Sequence, residues 1–240
     1  MVANMHDKRD TTSILPVQAI FFDAVGTLIH PTPNALEIYA EVGQRFGSRI
    51  HAAEVARRFR HFFQIEEDAD LRANLATSET RERLRWRTIV GGVLDDVADV
   101  ETCFTVLFEH FSRPEAWRCD PTTEAVLSEL ARRGYQLGLA SNYDGRLRPV
   151  AAGLPPLRFI QHLMISAEVG WRKPSREFFA AVCQQVNLPP EAILFVGDDP
   201  GNDYLGAHAH GLHALLLDPS GKYASLEAKR LTGLEELIAL

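Results

Sequence analysis

Apolar residues follow two different rhythms along this chain. Residues 17–28, Val-Gln-Ala-Ile-Phe-Phe-Asp-Ala-Val-Gly-Thr-Leu, make a short apolar run that breaks at a Gly-Thr turn, as a strand buried on both faces does. From there to about Phe111 apolar positions recur at three- and four-residue steps, among them Leu36, Tyr39, Val42, Val55, Phe59, Phe63, Leu84, Ile89, Phe104 and Leu107. That is the period of a small helical bundle, with interruptions expected at Gly43, Gly47 and the Gly91-Gly92 pair. Beyond Asp120 the rhythm changes to helix-strand alternation. A helix over 122–133 ends at Gly134, and strands are predicted over 135–140, 162–166, 193–196 and, last, 213–217, with a helix over 175–186. Such alternation implies a parallel sheet with right-handed crossovers. The expected fold is therefore α/β, with a core from residues 16–30 and 115–240, a helical insertion over 31–114, and a flexible tail over 1–15.

Composition narrows the class. With 240 residues, 46% of them hydrophobic, the chain is long enough for a large core domain plus an insertion. Cys103, Cys119 and Cys183 are odd in number and lack metal-ligand spacing, which points to small apolar core residues in a reducing compartment. No run is long enough for a membrane span and no signal segment opens the chain, so a cytoplasmic protein is expected. A net charge of −7 argues against a nucleic-acid-coating surface.

The chemistry collects at predicted strand ends, where ligands of open α/β sheets bind. Asp23 stands alone at the tip of the first strand. Ser141, after Gly-Leu-Ala, offers a hydroxyl to a phosphoryl or carboxylate oxygen, and Asn142 can orient it; Ser-Asn after a strand is also an ordinary turn. Lys173, in Gly-Trp-Arg-Lys-Pro, is either a solvated surface lysine or a cation that neutralises nucleophile and substrate. The turn Gly197-Asp198-Asp199-Pro-Gly-Asn-Asp203 is more acidic than turn chemistry demands, and its adjacent carboxylates repel unless a cation is shared.

In this order the four segments closely resemble the four motifs of the haloacid dehalogenase-like hydrolase superfamily, from Phe21 to about Leu217. The resemblance implies a Rossmann-like core with a helical cap, and Asp23 as covalent nucleophile assisted by Lys173. Ser141, Asn142 and Thr27 would bind substrate. Mg²⁺ would be held by Asp23, the Val25 carbonyl and Asp198, with Asp199 and Asp203 in support. The substrate expected is a small phosphorylated molecule.

One position departs from the pattern. Family phosphatases usually carry a second Asp two residues after the nucleophile as general acid and base, and here it is Val25, which holds no proton. Such catalysis is worth about 10²–10⁴-fold. Besides a phosphohydrolase, three readings arise. In haloacid dehalogenation, halide leaves without a proton and the loop Asp-Ala-Val-Gly-Thr resembles that subgroup's, but its Tyr is absent and Asp198-Asp199 lacks a purpose. Phosphonate cleavage needs a cap lysine, and none lies between Asp23 and Lys173. The last is an idle catalytic fold used for binding. In the insertion, Arg81, Arg83, Arg85 and Arg87 flank Trp86; each reads first as a solvated helix position beside Glu partners, and second as part of an anionic-substrate entrance. His208, His210 and His213 are too irregularly spaced for a transition-metal site.

Overall fold

The computed structural model describes residues 17–239; the expected tail over 1–15 lies outside them. The run read from the sequence becomes β1 (Ala19–Phe22), every residue of it buried. Its side chains alternate between two cores, Ile20 and Phe22 facing one layer, Ala19 and Phe21 the other, which is why the run is uniformly apolar.

After β1 the chain forms β2 (Ile29–Pro31), then α1 (Ala35–Arg45), α2 (Ala52–Arg72), α3 (Glu79–Val93) and α4 (Val100–His110), and returns through β3 (Trp117–Cys119). β2 and β3 pair antiparallel as a separate ribbon. The four helices between them enclose a third core built on Tyr39, Val55, Ile89 and Phe104. The remainder runs α5 (Thr123–Arg132), β4 (Gln136–Ser141), α6 (Leu147–Gly153), β5 (His162–Ile165), α7 (Ser166–Val169), α8 (Arg176–Val186), β6 (Ile193–Gly197), a π-helical turn (Pro200–Leu205), α9 (Gly206–Ala209), β7 (His213–Leu217) and β8 (Arg230–Leu231). The main sheet has the order β5-β4-β1-β6-β7-β8, parallel throughout. β1 is central, with Phe22 level with Leu139 of β4 and Val196 of β6. Residues just beyond these three strands therefore emerge together at one edge.

Four details differ from the sequence reading. Gly43 and Gly91-Gly92 lie inside α1 and α3, where Gly43 and Gly92 permit close packing: a Cβ at Gly92 would lie 2.4 Å from the Phe62 ring and one at Gly43 2.7 Å from Leu94. Leu84, assigned to the bundle's apolar face, is exposed. β7 is not last, since β8 adds a short edge strand. Cys103 is buried, but Cys119 and Cys183 are only partly so.

Candidate active site

Asp23 follows β1 directly and its N–H donates to the Val196 carbonyl at 2.9 Å. The sheet's register thus sets its carboxylate at the carboxyl end of the central strand. Lys173, in the loop between α7 and α8, is 2% exposed, which rules out the surface-lysine reading. Its Nζ donates to Asp23 Oδ1 at 2.6 Å, Asp203 Oδ1 at 2.6 Å and the Ala140 carbonyl at 3.0 Å, one acceptor for each ammonium hydrogen. The Ser141 hydroxyl donates to Asp23 Oδ1 at 3.2 Å.

Of two further residues expected to bind substrate, Asn142 lines the cavity and also clamps the lysine's backbone, while Thr27 is turned to the acidic loop. Asn142 Oδ1 accepts from the Lys173 N–H at 2.7 Å while its Nδ2 donates to the Lys173 carbonyl at 3.0 Å. Thr27 is fully buried and donates to Asp198 Oδ1 at 3.2 Å. Each positions a neighbour.

The acidic loop divides its aspartates between tasks. Asp199 Oδ1 accepts from the N–H groups of Gly201 at 2.8 Å and Asn202 at 2.7 Å. It thereby caps the turn, which returns Asp203 to the site, where Oδ2 accepts from the Asp199 N–H at 3.1 Å. Asp203 so has one oxygen on Lys173 and one on the loop. Asp198 lies against Gly26, whose φ of +98° favours glycine and where an added Cβ would lie 2.5 Å from Asp198 Oδ2.

Asp23, Asp198 and Asp203 bring carboxylate oxygens within 4.8 Å of one another, against the single ammonium of Lys173. Burial, then the charge of Asp23, pushes Asp198 up to about 6. Burial first, and Asp23 also, raises Asp203 against the opposing pull of Lys173. Burial alone would lower Lys173, but Asp203 and Asp23 outweigh it and hold its pKa above the usual range. Hard oxygen donors with surplus negative charge suit Mg²⁺, and Asp198, with no cationic partner among the described residues, is the donor best placed to gain from it. Val25 is 37% exposed and lines the cavity beside Asp23.

That cavity, about 380 Å³, extends from the three aspartates into the helical insertion. Aromatic rings run around its wall in a series of stacked, tilted and edge-to-face pairs. Trp86 is 6.4 Å from Phe63, Phe63 is 5.9 Å from Phe59, and Phe59 is 5.2 Å from Tyr39, centroid to centroid. Tyr39 then leads to Phe111, Trp117 and Tyr143 at 6.4, 5.9 and 6.2 Å. The Arg146 guanidinium closes the girdle, 5.2 Å from the Tyr143 ring and 5.8 Å from the Trp86 ring. Tyr39 is buried in the bundle core with Phe59 and Phe63 packed against it, as their period predicts, and all three also line the cavity, which period alone does not reveal.

The arginine-rich stretch is also resolved. Arg83 stacks on Phe108 at 4.8 Å and Arg87 pairs with Glu101 at 2.7 Å, both as solvated helix positions. Arg85 is not one. It is 1% exposed and bound to Asp70 and Glu67 of α2. Arg81 reaches Glu66 and Asp70 at 2.7 Å each. The neighbour of Lys173, Arg172, enters the same cluster from the core, bound to Glu82 and lying 3.4 Å from Asp70 and 3.5 Å from Glu67.

Comparison with known proteins agrees with this geometry. A family model described as haloacid dehalogenase-like hydrolase matches residues 17–211. Haloacid dehalogenase-like hydrolase domain-containing protein 3 of Homo sapiens is 26% identical over 209 residues, 85% of this chain and 82% of its own. Among solved structures, a HAD phosphatase from Thermococcus onnurineus has a TM-score of 0.67 at 20% identity, over 92% of this chain and 96% of that one. L-2-haloacid dehalogenase from Xanthobacter autotrophicus has a TM-score of 0.72 at 16% identity, over 93% and 98%. The fold thus hosts both chemistries and does not choose between them. With the strand-end aspartate, the buried lysine and the acidic loop in place and the family model spanning most of its length, the chain belongs to the haloacid dehalogenase-like hydrolases.

Proposed function

We propose that the protein is a Mg²⁺-dependent phosphohydrolase acting on a small phosphate ester through Asp23. An Asp23 carboxylate oxygen attacks phosphorus, and the bond from phosphorus to the alcohol oxygen breaks, its electron pair leaving on that oxygen. Water then attacks the phosphorus of the aspartyl-phosphate, the phosphorus–carboxylate bond breaks, and orthophosphate departs as the carboxylate is restored. Lys173 fixes the attacking carboxylate and offsets its charge, held in place by Asn142 and Asp203. Ser141 donates its hydroxyl next to the nucleophile. Asp23, Asp198 and the Val25 carbonyl would hold Mg²⁺, which would supply charge neutralisation for the phosphoryl oxygens. Position 25 gives the leaving oxygen no proton.

The observation that carries this reading is Asp198. A part-buried carboxylate beside Asp23, raised in pKa first by burial and then by that company, is a liability without a divalent cation. Halide displacement by Asp23 is the second reading, favoured by Val25 because halide leaves unprotonated, but it gives Asp198 no work. The test reads orthophosphate and halide release in parallel, with and without Mg²⁺, in the parent and in Asp23→Asn. Mg²⁺-dependent phosphate release that Asp23→Asn abolishes is the expected result. Metal-independent halide release would overturn the proposal.

A further inference from the structure

We propose that the alcohol portion of the substrate is an uncharged aromatic group seated in the girdle; this rests on the phosphohydrolase reading of the same cavity. The wall beyond the aspartates is a continuous series of rings, and Phe59, Phe63 and Trp86 are only half-buried, their remaining surface forming part of the cavity lining. Aromatic rings gain from edge and offset contact with other rings beyond the area they bury. The space fits as well: about 150 Å³ holds a benzene, so 380 Å³ accommodates a phosphoryl group and one aromatic ring system.

Charge excludes the other classes. Among the described residues, each cation lining the cavity already has a carboxylate partner: Arg85 has Asp70 and Glu67, Arg172 has Glu82, and Lys173 has Asp23 and Asp203. Arg146 is held by Asp144 through two bonds of 2.7 Å. A second anionic group at the cap end, such as a carboxylate or another phosphate, would therefore be desolvated without a free counter-charge. A cationic alcohol fares no better, since guanidinium groups already face Phe63 at 4.9 Å and Trp86 and Tyr143 through Arg146.

The test compares esters with similar alkoxide leaving groups, so that aromatic recognition is separated from leaving-group activation. Benzyl phosphate, cyclohexylmethyl phosphate, glycerol 3-phosphate and choline phosphate are assayed for kcat/KM with Mg²⁺. Calorimetry in parallel measures binding of two non-hydrolysable probes, benzylphosphonate and 2-hydroxyethylphosphonate. Benzyl phosphate is expected to exceed glycerol 3-phosphate and choline phosphate by about tenfold or more, with cyclohexylmethyl phosphate between. Benzylphosphonate should bind more tightly than hydroxyethylphosphonate by a similar factor, and Trp86→Leu should erase that margin while Trp86→Phe keeps most of it. Hydrolysis of all four esters with equal kcat/KM would overturn the proposal and leave the phosphohydrolase reading standing. No hydrolysis, yet selective binding of benzylphosphonate, would overturn that reading and support the pocket assignment. Equal binding, or no binding, of the two phosphonates would overturn the assignment, whatever the variants do.

Discussion

Asn142 grips Lys173 by both backbone polar groups, accepting from its N–H and donating to its carbonyl, so one amide side chain fixes the loop that carries the buried ammonium. Asn142→Ala leaves both groups unpaired at a part-buried site. A destabilisation of about 1–3 kcal/mol in urea is expected, with kcat falling more than KM rises. An unchanged kcat would show that Lys173 keeps its place without the clamp.

Metal binding should depend on pH through Asp198. Its pKa rises from 3.8 when unperturbed to about 6 in the fold, so between those values the folded protein holds a proton that the unfolded chain has released. Without metal, this group's contribution to stability falls as pH rises through that window. Mg²⁺ binds the deprotonated form and opposes the loss. The increase in Tm on adding Mg²⁺ should accordingly be large near pH 7.5, small near pH 5 and much reduced in Asp198→Asn at both; an equal increase at both pH values in the parent would remove Asp198 from the metal site.

Val25→Asp should raise kcat on alkyl phosphates most and leave aryl phosphates nearly unchanged. A positioned acid helps only where the departing oxygen must gain a proton, and an aryl oxide leaves as a stable anion. The side chain at position 25 borders the cavity and is part-exposed, so the change should not harm the fold. A uniform gain across leaving groups would mean that the new carboxylate acts on the metal instead.

Arg172 is 4% exposed among Glu82, Asp70 and Glu67. Arg172→Met strands Glu82, while Asp70 and Glu67 keep Arg81 and Arg85, and a loss of about 3–5 kcal/mol is expected from breaking the buried Arg172–Glu82 pair on one side. Arg172→Met combined with Glu82→Gln should recover part of it. A shift in urea midpoint worth under about 1 kcal/mol for the single variant would show the cluster to be solvated.

The sequence was most informative where function depends on strand ends. Asp23, Ser141 and Asp198 each sit where a short apolar run stops, and backbone register brings them together; Lys173, read as a strand-end residue, instead lies in the loop between α7 and α8 and is brought to them by the Asn142 clamp. Roles set by distant partners were illegible. Arg85 reads as one of four equivalent arginines because Glu67 and Asp70, which bury it, lie a whole helix earlier. Thr27 and Asn142 carry the right chemistry for a phosphate, but what they serve is decided by Asp198 and Lys173, far along the chain. Gly91 and Gly92 look like a break because the ring of Phe62, which fills the space a side chain would need at Gly92, is invisible in a linear pattern.

The ionic seam also limits how this hydrolase can be recombined. Glu66, Glu67, Asp70 and Glu82 belong to α2 and α3, but one of their three guanidinium partners, Arg172, is borne by the core on the residue preceding Lys173. A grafted cap that lacked these acids would leave Arg172 unpaired, and this cap on a core without that arginine would leave Glu82 unpaired. The helical insertion and the loop holding the ammonium are thus coupled, and chimaeras should fold best when residue 172 travels with the helices.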